Sequence, residues 1–230
     1  MDGVITKTAV VHGRAWKQMF DEFLKDWYQQ HGQPFKEFDK VSDYDEYVDG
    51  KPRLEGTASF LESRNIKLPM GTPGDTPGSA TIYGLGNRKN ELIHEVIERD
   101  GVAAYEGSVR YVQAVRAAGL RTAIVSSSAN TADVLEAAGV AGLFEARVDH
   151  QVAEEKKLRG KPAPDTFLEA ARQLGVANTN AAVFEDALAG VSAGKAGNFG
   201  YVVGIDRTGQ ADELKAHGAT VVVKDLAELL

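Results

Sequence analysis

Two rhythms of hydrophobic and polar positions divide the chain. From about residue 105 onward, short uninterrupted apolar runs alternate with Ala-rich segments of helical spacing. The runs are Thr122-Ala123-Ile124-Val125, Ala181-Ala182-Val183-Phe184, Tyr201-Val202-Val203-Gly204-Ile205 and Thr220-Val221-Val222-Val223. Runs of this kind suit strands buried on both faces, although a short run alone also fits a buried helical segment. Between them the spacing predicts helices over 107–118, 131–138, 164–174, 187–196 and 210–217. Strand–helix alternation implies an α/β fold with a parallel sheet and right-handed crossovers.

Residues 8–103 follow a different rhythm. Amphipathic helical stretches run from His12 to Trp27 and from Lys89 to Arg99, and no strand-like run stands out. A Pro/Gly-rich segment from Pro69 to Gly78 interrupts them and is expected to be a surface excursion. The expected organisation is a helical domain, 8–103, inserted early into an α/β core made of 1–7 and 104–230. No fixed-period repeat is visible.

Composition narrows the function classes. A chain of 230 residues has room for one large domain or for a core with a smaller companion. Its apolar fraction of 43% is ordinary for a globular protein. No apolar run reaches the roughly 18 residues of a membrane span, so no membrane partner is expected. Met1-Asp2-Gly3-Val4 has neither a basic flank nor an apolar stretch, so no secretory leader is expected. Cysteine is absent, which excludes disulfides and thiolate chemistry and fits a cytoplasmic location. A formal charge of −7 argues against nucleic-acid binding. An anionic ligand would therefore need a local basic cluster.

In an open parallel sheet, ligands gather beyond the carboxyl ends of the strands. Three such positions carry chemistry. Ser126-Ser127-Ser128-Ala129-Asn130-Thr131 follows the first run and leads into a helix, a setting for phosphate, or simply a helix capped by Asn130 or Thr131. Gly160-Lys161-Pro162-Ala163-Pro164-Asp165 holds a lysine ahead of a helix, with Pro164 suited to the first turn; Lys161 would neutralise a phosphoryl oxygen or merely face solvent. Glu185-Asp186 places adjacent carboxylates just past a strand. Such a pair suits Mg²⁺, or else Asp186 caps the next helix. Together they set a hydroxyl, an ammonium and a carboxylate pair at successive strand ends.

With Asp2-Gly3-Val4-Ile5-Thr6, these segments resemble the four ordered motifs of the haloacid dehalogenase superfamily of phosphotransferases. The resemblance spans essentially the whole chain and points to the β-phosphoglucomutase branch, with a Rossmann-like parallel-sheet core and a helical cap. In the cap, His12-Gly13-Arg14-Ala15-Trp16, Gly50-Lys51-Pro52-Arg53 and Arg88-Lys89-Asn90 match segments of that branch. The resemblance implies Mg²⁺-dependent transfer through an aspartyl phosphate. Asp2 would be the general acid and base, with Ser126 and Lys161 on the transferring oxygens. Asp2, Glu185 and Asp186 would bind Mg²⁺. His12, Trp16, Arg53, Lys89, Ser127, Ser128 and Asn130 would contact substrate.

On the family pattern the nucleophilic aspartate falls two positions before Asp2, one residue ahead of Met1, and the first core strand precedes it. From this the 230-residue chain by itself is expected to be inactive and poorly stable. Two further departures are Lys7, where the branch usually has an acid, and Ala129, where some members carry a lysine. The leading expectation is a monomeric enzyme interconverting β-glucose 1-phosphate and glucose 6-phosphate through a bisphosphate. A sugar-phosphate phosphatase and a non-catalytic sugar-phosphate binder are the alternatives. Gly84-Leu85-Gly86-Asn87-Arg88-Lys89 lacks the third glycine and the strand–helix setting of a dinucleotide fingerprint.

Overall fold

Apolar positions repeating every third or fourth residue make helices within residues 9–101. The computed structural model describes residues 1–230, apart from the side chains of residues 9, 10, 96, 98 and 100. It divides into two compact units, Met1–Thr8 with Val102–Leu230 and Ala9–Gly101. The second unit is built on α1 (Ala9–Gln30), α2 (Arg53–Ser63) and α3 (Ile82–Asp100), with one π-helical turn at Tyr44–Val48. Trp16, Phe20, Leu24 and Tyr28 recur along one face of α1 and are all buried. The Phe20 ring lies 5.3 Å from Trp16, 5.2 Å from Phe38 and 4.1 Å from Phe60, so an aromatic cluster forms the centre of this unit. Thr81 caps α3 by accepting a hydrogen bond from Gly84 N at 2.9 Å.

Helix α2 begins at Arg53, in a stretch whose periodicity is blurred by Gly56, Thr57 and Ser59. The Pro69–Gly78 segment forms neither helix nor strand. Asp75 ties it down by accepting from Thr72 Oγ1 at 2.7 Å and Thr81 Oγ1 at 2.6 Å, while Asn87 Nδ2 donates to Pro73 O at 3.1 Å and Asp75 O at 2.9 Å.

The other unit alternates helix and strand. In chain order it contains α4 (Glu106–Ala117), β1 (Ala123–Val125), α5 (Thr131–Ala137), β2 (Ala146–Val148), α6 (His150–Glu155) and α7 (Asp165–Leu174). Then come β3 (Ala182–Glu185), α8 (Leu188–Ala196), β4 (Tyr201–Ile205), α9 (Ala211–His217) and β5 (Val221–Val223). Every strand pair is parallel. Ile124 faces Arg147, Phe184 faces Val203, and Gly204 faces Val222.

Among the described residues the strands form two sheets, β1–β2 and β3–β4–β5, rather than the single sheet expected. An apolar cavity of 330 Å³ borders both, lined by Ile124, Val125, Phe167, Val183 and Phe184 among others. Burial on both faces holds for Val202 through Ile205 of β4 but not for β5, an edge strand whose Val221 is 39% exposed. Strand β2 has only three residues with Arg147 in the middle, and its partner β1, not its own pattern, makes it a strand.

Candidate active site

The carboxyl ends of β1 and β3, and the tight turn at the N-terminus, hold the chemistry-bearing side chains of the α/β unit. Residues 1–6 fold back on themselves: Gly3 N donates to Thr6 O at 2.9 Å and Ile5 N to Met1 O at 2.8 Å. Gly3 sits at φ +66°, and a Cβ there would lie 1.5 Å from Asp186 Oδ2. Only glycine lets the Asp2–Gly3 turn press against the Asp186 carboxylate. Asp2 accepts from Thr8 Oγ1 through Oδ1 and from Ser126 Oγ, at 3.4 Å, through Oδ2. Ser126 is buried and extends the β1–β2 ladder, its N donating to Val148 O at 3.0 Å.

Beside this, Glu185 ends β3 and is buried with its Oε1 paired to Lys161 Nζ. The ammonium lies 5.1 Å from the centre of the Phe167 ring. Gly190 of α8 makes room for the carboxylate, since a Cβ there would approach Glu185 Cδ to 2.2 Å. Ala187 N donates to Glu185 Oε2 at 3.3 Å. Ser126 bonds Asp2, the Gly3 backbone abuts Asp186, and Glu185 pairs with Lys161, so the two acid-bearing turns and their partners adjoin at Gly3 and Asp186.

Two structural alternatives read from the sequence do not hold. Helix α8 starts at Leu188 with Ala187 at the cap position, so Asp186 is not a cap. Asn130 occupies the cap position of α5 but its side chain makes no capping bond. The serine run is instead held internally: Ser128 N donates to Ser126 Oγ at 3.2 Å, Asn130 N to Ser128 Oγ at 3.1 Å, and Thr131 Oγ1 to Ser128 O at 2.8 Å. Ser127 lies between these two bonded serines. Pro164 precedes α7 at its cap, one position ahead of the first helical turn.

Oxygen donors dominate the cluster, which suits a hard cation. Among the described residues, no three His, Cys, Asp or Glu side chains form a group able to hold a metal by themselves. Magnesium needs no such cage, because it binds through one or two carboxylates with water and substrate oxygens completing its shell. Asp186, pressed against the Gly3 backbone next to Asp2, fits that requirement as one such carboxylate.

The helical unit holds a separate basic cluster. Lys89, buried on α3, donates from Nζ to His12 Nδ1 of α1 at 2.8 Å, and its ammonium lies 5.0 Å from the Trp16 ring centre. With the lysine charged, His12 accepts at Nδ1, leaving its proton on Nε2. Arg53 opens α2, and Gly86 of α3 gives it space, for a Cβ there would lie 3.3 Å from Arg53 Nε. Arg88 turns outward to Glu22, at 3.3 Å, and to Glu91, at 3.4 Å.

Several participants escaped the sequence reading. Thr8 bonds Asp2. Arg207 and Gln210, after β4, bond Gly3 O at 2.7 Å and Asp186 O at 3.1 Å. Both come just after the strand-like run 201–205, but neither residue type marks a site by itself. Burial pushes the Tyr105 phenol up, Asp186 and Asp225 add to the rise, and Arg207 opposes it.

Comparisons with known proteins complete the description. A family model described as haloacid dehalogenase-like hydrolase matches residues 1–198. The Beta-phosphoglucomutase of Mycobacterium tuberculosis (strain CDC 1551 / Oshkosh) is 54% identical over 233 residues, covering 100% of this chain and 89% of that protein. The Beta-phosphoglucomutase of Bacillus subtilis (strain 168) is 30% identical, covering 100% of this chain and 88% of that protein. Among solved structures, a beta-Phosphoglucomutase from Clostridium difficile superposes with a TM-score of 0.76 at 25% identity, covering 100% of this chain and 90% of that one.

Proposed function

The chain belongs to the haloacid dehalogenase-like hydrolase family, in its β-phosphoglucomutase branch, and from that premise we propose that it isomerises β-glucose 1-phosphate to glucose 6-phosphate with Mg²⁺. That it is a sugar-phosphate phosphotransferase or hydrolase follows from membership itself. The observation that carries the finer reading is that the two acid-bearing turns adjoin at Gly3 and Asp186, with Ser126 bonded to Asp2 and Lys161 paired with Glu185.

In this reading transfer runs through the aspartyl phosphate that the family resemblance implies, which passes its phosphoryl group to the sugar 6-hydroxyl while Asp2 takes the hydroxyl proton. The bisphosphate turns round. The carboxylate then attacks the 1-phosphate, the phosphorus–oxygen bond to C1 breaks, and Asp2 returns its proton to that oxygen. Ser126 donates a hydrogen bond, and Lys161 a charge-assisted one, to the transferring oxygens. Asp2, Glu185 and Asp186 would hold Mg²⁺, which when bound offsets the charge repulsion between carboxylate and phosphoryl group. His12, Trp16, Arg53 and Lys89 of the helical unit, and Ser127, Ser128 and Asn130 of the α/β unit, would be substrate-binding residues.

Phosphatase activity is the second reading, favoured by Ala129, an exposed small residue in the serine loop that offers no cation to a second phosphate. Quenching the protein in acid during turnover of labelled bisphosphate tests the covalent step. An acid-stable label that hydroxylamine releases from the protein is expected, and no protein-bound label at any stage of turnover would refute the covalent step.

A further inference from the structure

The segment after β4 braces the two acid-bearing turns from behind. Asp206 N donates to Val223 O at 2.8 Å, which anchors the segment to β5. Asp206 Oδ1 accepts from Gly209 N at 2.6 Å and Gln210 N at 2.9 Å, which closes the segment into a tight loop. From this loop Arg207 Nε reaches Gly3 O at 2.7 Å, and Gln210 Nε2 reaches Asp186 O at 3.1 Å. The Gly3 peptide is thus gripped on its carbonyl side by Arg207 and on its amide side by Thr6 O, at 2.9 Å.

Arg207 is itself tightly held. Its guanidinium lies 3.6 Å from the Tyr105 ring centre, Nη1 donates to Lys224 O at 2.7 Å, and Asp225 Oδ2 is 3.8 Å away. Tyr105 N in turn donates to Ile5 O at 2.8 Å, so the residue that stacks on the guanidinium also holds the residue 2–5 turn through its backbone. The guanidinium Nη2 is buried with no hydrogen-bond partner among the described residues. A buried donor without a partner costs stability. A neutral side chain would avoid that cost, so the geometry supplied at Gly3 is the feature that the arginine adds.

We propose that Arg207, assisted by Gln210, is a positioning residue that fixes the distance between the Asp2 turn and the Asp186 turn. The inference rests on the reading of Asp2 as the acid and base of phosphoryl transfer. One loop bonds both carbonyls, and no Cβ separates Gly3 from Asp186. Loss of the brace lets Asp2 drift from the oxygen whose proton it must move. Neither side chain has to touch substrate for this effect.

The test compares Arg207→Met, which keeps the apolar stem, with Arg207→Lys, which keeps the charge and one donor. Steady-state kinetics on β-glucose 1-phosphate with Mg²⁺ is read beside the amide signal of Gly3 in ¹⁵N-labelled protein. Arg207→Met should lose about 100-fold in kcat, the scale of a displaced catalytic group, with KM little changed. Its Gly3 signal should shift, and Arg207→Lys should recover part of both. A variant with a shifted Gly3 signal and unchanged kcat overturns the proposal. So does a kcat loss that merely tracks the fraction folded in a thermal melt. If the unaltered protein turns over no sugar phosphate while the Gly3 signal still shifts in Arg207→Met, the functional reading fails and the brace on the turn stands.

Discussion

Lys161 and Glu185 pair where water barely reaches, with side chains 6% and 4% exposed. A buried pair gains little over an apolar replacement, but removing one member strands the other charge at a cost of about 3–5 kcal/mol. Lys161→Met is therefore expected to lower stability by that order and, on the proposed reading of Lys161 as a donor to the transferring oxygens, to reduce kcat on the order of 100-fold or more. Denaturant melts and steady-state kinetics check the two halves separately. A second carboxylate shows a different use of charge. Glu169 of α7 is held well below the usual carboxylate range by Arg172, with Lys156 and Gln173 adding to the effect. A depressed folded-state pKa stabilises the fold fully above the unfolded carboxylate value, and that contribution is lost as pH falls through it toward the depressed value. Glu169→Gln should thus be less stable than the unaltered protein at pH 7, with the gap closing on acidification in thermal melts. Arg172 is 65% exposed, so solvent screening keeps the gap modest.

At the scale of elements, helix α8 trades helical stability for the site. Gly190 lies in the first turn of the helix, where alanine is ordinarily the more favourable residue. Its missing Cβ leaves room for the Glu185 carboxylate, which would otherwise be met at 2.2 Å. Gly190→Ala should therefore fail to stabilise the protein and should lower kcat by displacing Glu185 and, with it, Lys161. A variant more stable and equally active would show that the helix tolerates the methyl group. The apolar runs were legible as β1, β3, β4 and β5 because each carries its own pattern. Strand β2 was not, since three residues with a central arginine become a strand only by pairing with β1. Chemistry-bearing side chains just beyond apolar runs marked out Ser126, Glu185 and Asp186, while Lys161, which follows α6 and no strand, was marked by the prolines after it. Arg207 lies just past β4 and went unnoticed because an arginine in a loop looks like any surface cation. Only the 2.7 Å bond to Gly3 O, from a residue 204 positions away, distinguishes it. Thr8 was hidden for the opposite reason, since a hydroxyl near Asp2 carries no signal until the turn folds it back.

For the molecule as a whole, two units divide the chemistry: an α/β unit with carboxylates, a hydroxyl and a lysine, and a helical unit with Lys89, His12, Trp16 and Arg53. With a net charge of −7, binding of an anionic substrate on the proposed reading would call on local cations such as these. The most direct test is phosphorus NMR on the protein with β-glucose 1-phosphate, Mg²⁺ and a trace of glucose 1,6-bisphosphate. Glucose 6-phosphate should accumulate with little inorganic phosphate, stop on chelation of the metal and resume when Mg²⁺ is restored. Inorganic phosphate as the main product, or turnover that continues under chelation, would contradict it.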